Sequence, residues 1–139
     1  MFLVILLFSF LFAKELCLEF NINTDDPYLN KRVEQYVEEL ALESGFKLGC
    51  SEKSLNLPVS ASFSENGIAI SPKQRVSTYL FSLSVNIGNE SFSTSVPYSL
   101  PSGAFGELPR RKALEEAIKR LRLPIIKYFT ELYAGKREP

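Results

Sequence analysis

The chain has 139 residues, enough for one domain and not comfortably for two. It is 45% hydrophobic and 23% charged, an ordinary globular composition that excludes a disordered chain. Its sixteen Lys and Arg balance its sixteen Asp and Glu, and it contains no histidine, so Ser-His and Cys-His nucleophilic arrangements and His-containing metal sites are excluded.

Residues 1–13, MFLVILLFSFLFA, form an apolar run that ends at Ala13, just before Lys14-Glu15. A transmembrane helix needs roughly 20 apolar residues. The run reads instead as an export signal with Leu11 and Ala13 in the cleavage positions, or as an N-terminal anchor where it is retained. No Lys or Arg stands near Met1, and Leu11 is large for its place. Residues 14–139 are then expected to form a single α+β domain with a frayed C-terminal tail.

Residues 15–22 alternate, with Leu16, Leu18, Phe20 and Ile22 on one face and Cys17, Glu19 and Asn21 on the other, as in a half-buried strand. Asp26 is then an N-cap and Pro27 a first helical residue. Leu29, Val33, Tyr36, Val37 and Leu40 recur at helical spacing. Ser44-Gly45 stops this helix. Phe46–Cys50 reads as a short strand or a return loop, and SEKSLNLP as a connection. Export permits disulfides. Cys50 shares the apolar parity of Phe46 and Leu48, whereas Cys17 has polar parity, so the two cysteines are expected not to pair.

Val59, Ala61 and Phe63 alternate with Ser60, Ser62 and Ser64 as a strand, and Asn66-Gly67 is a turn signal. From Val76 a longer pattern sets Tyr79, Phe81, Leu83, Val85 and Ile87 against Thr78, Leu80, Ser82, Ser84 and Asn86. Gly88-Asn89 turns the chain. Phe92, Thr94, Val96 and Tyr98 return opposite Ser91, Ser93 and Ser95, which makes a hairpin. LPSGAFGELP is a loop. A last helix starts near Pro109 and carries Leu114, Ala117, Ile118, Leu121, Ile125, Phe129 and Leu132 on one face. Pro124 inside it predicts a bend.

This β-α-β-β-β-α order implies an α+β two-layer sandwich, a small mainly antiparallel sheet with two helices packed on one face. The other face is left uncovered, and there stand Ser60, Ser62, Ser82, Ser84, Ser93 and Ser95. An exposed face is normal for an antiparallel sheet. Exposed sheets usually carry Lys and Glu, however, which also block edge pairing. A flat, uncharged, hydrogen-bonding face suits close approach by a protein wall, a glycan or a barrel interior.

Charge is uneven. From Arg110 onward there are nine basic residues and four acidic ones, while the first helix carries Glu34, Glu38, Glu39 and Glu43. These are complementary helix faces, or else a basic stripe for an anionic ligand such as a lipid phosphate. A neutral, exported chain without a binding motif argues against nucleic acid. Asp26 and Glu115-Glu116 are accounted for by helix ends. There is no glycine-rich phosphate loop, no cofactor is expected, and the chain reads as a non-enzyme.

The export segment, "STYLFSLSVNI", its return "SFSTSVPYSL" and the closing "RRKALEEAIKRLRLPIIKYF" together resemble the LPS-assembly lipoprotein family (LptE-like) over most of residues 15–133. The resemblance is one of pattern. It implies a periplasmic, outer-membrane-associated plug inside a large barrel protein (LptD-like), and lipopolysaccharide bound through basic residues. Lys73, Arg75, Arg110, Arg111 and Lys112 are the candidates. Cys17 makes a poor lipidation site, because Lys14-Glu15-Leu16 lacks the small residues of a lipoprotein signal. A periplasmic adaptor domain of another envelope complex, or a secreted glycan- or lipid-binding module, fits the same features.

Overall fold

The computed structural model describes residues 14–71, 76–101 and 107–139. Strand β1 (Glu15–Phe20) is followed by helix α1 (Pro27–Glu43), β2 (Lys47–Leu48), β3 (Leu55–Ser71), β4 (Val76–Ile87), β5 (Glu90–Pro101) and helix α2 (Glu107–Tyr133). The strands form one sheet in the order β2-β1-β3-β4-β5. This is the expected α+β arrangement.

The sheet is mixed. β1 runs parallel to both β2 and β3, while β3, β4 and β5 are antiparallel neighbours. The parallel half came from a segment read as a connection: Leu55–Pro58 are strand residues, with Leu16 opposite Leu55 and Phe20 opposite Val59. Nor does Asn66-Gly67 turn the chain. β3 runs through it, and the register against β4 shifts between Gly67 and Ala69. Pairing with β4 on both sides overrides the local turn preference, and the extra residue is absorbed as a bulge.

Asp26 caps α1 as expected, its carboxylate accepting from the amides of Tyr28 at 3.1 Å and Leu29 at 3.2 Å. Gly45 leaves the helix at φ +107, a region that L side chains rarely adopt. α2 stays helical through Pro124 from Glu107 to Tyr133. Both helices lie over one sheet face. Leu29, Val33, Val37 and Leu40 of α1, and Leu114, Leu121, Ile125 and Phe129 of α2, share a core with Phe81, Leu83, Val85 and Ile87 of β4. Burying a side chain of this size contributes about 1.5–3 kcal/mol.

Cys17 and Cys50 form a disulfide, with Cα atoms 4.7 Å apart. The parity argument required Cys50 to lie in a strand, but β2 ends at Leu48. The Gly49 amide still donates to Leu16 O at 3.0 Å, and a turn closed by Ser54 N to Ser51 O begins one residue after Cys50. Outside the strand, alternation no longer dictates direction, and the exposed Cys50 reaches the face that Cys17 occupies.

The C-terminal tail makes specific contacts. Arg137 bridges Glu90 at 2.7 Å and Glu131 at 2.8 Å, and its guanidinium lies 5.4 Å from the Tyr128 ring centre. Asn89 donates to Pro139 O at 3.0 Å.

Candidate interaction face

The alternation of β3, β4 and β5 sends every second side chain away from the helices. Register aligns these residues in rows across the sheet: Ser60, Asn86 and Ser91; Ser62, Ser84 and Ser93; Ser64, Ser82 and Ser95. All six serines singled out from the sequence therefore lie on one surface, as expected of their parity. The structure adds Asn86, which joins three strands by donating to Ser60 Oγ at 3.2 Å and accepting from Ser91 Oγ at 2.6 Å.

The hydroxyls bind each other across β4 and β5. Ser82 and Ser95 are 2.8 Å apart, Ser84 and Ser93 3.1 Å, and Thr78 and Ser99 3.2 Å. Such cross-strand pairs contribute roughly 0.2–1 kcal/mol each. Each hydroxyl keeps acceptor capacity toward the outside. A concavity of about 180 Å³ lies over Ser62, Ser64, Ser82, Ser84, Ser93 and Ser95. No Lys, Arg, Asp or Glu stands in these rows; Glu65 and Glu90 have the opposite parity and pair with Arg110 and Arg137 on the helix side. The surface can make many weak, directional hydrogen bonds without desolvating a charge. It holds no nucleophile–base pair.

The disulfide lies toward the β1 edge of this same face, since Cys17 stands in register with Asn56. A sulfur held in a disulfide is not available for a thioether to lipid.

The basic candidates do not converge. Arg110 forms ion pairs with Glu65 and, at 3.6 Å, with Asp26. Arg111 lies 4.3 Å from the Tyr28 ring centre. Lys112 is exposed. Lys73 and Arg75 lie outside the described residues. Much of the charge asymmetry joins the two helices: Arg32 binds Glu115 at 2.7 Å, and Arg122 binds Glu43 at 2.6 Å. The Glu115 carboxylate accordingly raises the Arg32 pKa.

Arg120 was not singled out from the sequence. Its guanidinium donates to Ser95 O at 2.8 Å, at the outer edge of β5, and also pairs with Glu116 at 3.6 Å. β5 ends the sheet, and a bare edge invites strand pairing. Arg120, together with Pro97 within the strand, blunts that edge. Among the described residues, no three His, Cys, Asp or Glu gather as a metal site, and no helix is long and apolar enough to cross a membrane.

No protein-family model matches the chain. Solved structures similar to it include two at a TM-score above 0.5. One is a minor lipoprotein from Acinetobacter baumannii, at a TM-score of 0.51 and 9% identity, covering 86% of this chain and 94% of that one. The other is a provisionally named neuraminyllactose-binding hemagglutinin homolog from Helicobacter pylori, at 0.54 and 12% identity, covering 90% and 92%. At these identities the likeness is one of fold. The chain is also 57% identical over 137 residues to an uncharacterized protein of Aquifex aeolicus (strain VF5), covering 98% of this chain and 99% of that one, and it belongs to that protein's family.

Proposed function

We propose that this member of the Aquifex aeolicus protein's family is an exported, non-enzymatic docking protein of the cell envelope. Its partner surface is the hydroxyl face of β3, β4 and β5. The carrying observation is the three-row array of Ser and Asn without one charged side chain. A face that meets only water gains nothing by excluding Lys and Glu. A face pressed against another surface gains much, because each buried charge must be desolvated or paired. The disulfide supports an oxidising compartment, and an α+β fold similar to that of a bacterial minor lipoprotein agrees with it.

Within that reading, the resemblance to the LPS-assembly lipoprotein family makes the partner an outer-membrane barrel protein, with this chain as its plug. Lipopolysaccharide is a second ligand in the same scheme. The ion pairs of Arg110 argue against its serving as an open anion site, so Lys112 is the better of the described candidates.

The test is affinity capture of the tagged chain from solubilised envelopes, with Ser84→Arg/Ser93→Glu as the comparison. A barrel protein captured by the native chain and lost with the variant supports the plug. Another envelope protein lost in the same way supports an adaptor. Equal capture by both chains removes the hydroxyl face as the docking surface.

A further inference from the structure

The outward side of α2 carries a second surface, on the opposite layer of the domain from the hydroxyl face. Lys112, Glu116, Lys119, Leu123 and Lys127 succeed each other at steps of three and four, which aligns them on one helix face. The buried stripe of α2 packs on the sheet, so this face is turned to solvent. Leu123 is 76% exposed, the most exposed large apolar side chain among the described residues. Lys119 and Lys127 stand one turn to either side of it. Neither they nor Lys112 has an ion pair among the described residues, whereas Glu116 is held by Arg120.

Beside this stripe, a hollow of about 480 Å³ opens among Tyr28, Arg111, Lys112, Glu115, Glu116 and Lys119. Its two carboxylates are paired with Arg32 and Arg120. The hollow therefore presents a net positive rim.

We infer that the outward face of α2 docks on an anionic phospholipid surface, with Lys112, Lys119 and Lys127 at the headgroups and Leu123 entering the acyl boundary. Lysines near such a surface attract it over about one Debye length, and a projecting leucine adds apolar contact. This goes beyond the hydroxyl-face reading and uses none of its serines or Asn86. It shares only Lys112 with the lipopolysaccharide scheme, and the test variants at Lys119, Lys127 and Leu123 lie outside both, so either reading can fail alone.

The test is co-sedimentation of the full chain with vesicles of phosphatidylcholine alone, or of phosphatidylcholine mixed with phosphatidylglycerol. Binding should rise with the phosphatidylglycerol fraction and fall as salt is added. Lys119→Glu/Lys127→Glu should lower binding to the anionic vesicles by more than about tenfold and leave binding to phosphatidylcholine unchanged. Leu123→Ser should weaken anionic binding with its salt dependence retained. All three substitutions are at exposed positions, and unchanged melting would show that the fold persists. Equal binding to both vesicle types, or a phosphatidylglycerol increment that survives the lysine reversal, overturns the proposal.

Discussion

Cys17 and Cys50 are joined across the end of β2, 33 residues apart in sequence, where strand alternation has just lapsed. The bond closes a loop containing the whole of α1. A loop of that size restricts the unfolded chain by about 3–4 kcal/mol in the chain-entropy account. Reductant, or Cys17→Ser/Cys50→Ser, should therefore lower stability by that order. Denaturant titration with and without reductant measures it, and intact mass shows the two-hydrogen deficit. Identical curves would mean that the thiols stay reduced.

That pairing was hidden from the sequence for a definable reason. Parity fixes direction only inside a strand, and β2 holds just two residues. The same reasoning succeeded in β4, where Phe81, Leu83, Val85 and Ile87 are all buried, because twelve residues paired on both sides hold the alternation rigidly. The parallel pairing of Leu55–Val59 with β1 was equally hidden: nothing local in SLNLP separates a central strand from a loop. The serine face was legible because it needs alternation alone. The Asn86 bridge and the Arg120 cap were not, since both depend on which strands are neighbours.

The hydroxyl face separates folding from docking. Ser84 and Ser93 are direct cross-strand partners. In Ser84→Arg/Ser93→Glu the new charges oppose each other, and a solvent-facing change of this kind costs within about 0.5 kcal/mol. Melting should barely move while partner capture falls. The control is Phe81→Ala/Leu83→Ala, where each buried truncation costs roughly 2–5 kcal/mol and should unfold the domain. Serine variants that melt like this control would show that the rows are packed inward.

Alkaline pH should destabilise the protein through its tyrosines. Burial is the largest cause raising the pKa of Tyr36, Tyr98 and Tyr128, and Tyr98 reaches about 12 with help from its bond to Glu65. The fold thus keeps protons that the unfolded chain releases from its ordinary value of 10.0. The contribution is complete below that value and is lost as pH climbs from there toward the folded pKa. Unfolding midpoints should hold steady up to that point and then drop. Tyr98→Phe should reduce the slope, and an unchanged slope in that variant would remove Tyr98 from the account.

Gly88 and Tyr128 form a tight joint beneath the β4–β5 turn. Gly88 has φ +59, and a Cβ there would stand 2.8 Å from Tyr128 Oη and 3.2 Å from Leu57 Cδ2. Gly88→Ala should cost about 2–4 kcal/mol, combining left-handed strain with overpacking. Gly135, at φ +73 with nothing within 4 Å of its added Cβ, isolates the strain; Gly135→Ala should cost only about 1–2 kcal/mol. The Tyr128 hydroxyl is buried without a hydrogen-bond partner among the described residues. Its removal in Tyr128→Phe should leave stability equal or higher, since an unsatisfied buried hydroxyl costs about 1–3 kcal/mol. It also clears the space that the methyl group added by Gly88→Ala would need. In the Tyr128→Phe background the Gly88→Ala penalty should shrink toward that of Gly135→Ala, leaving the contacts with Leu57 Cδ2 and with the Pro139 backbone carbon at 3.3 Å. Chemical denaturation of the four chains in this cycle gives the coupling directly, and strictly additive costs would show that the hydroxyl is not what Gly88 accommodates.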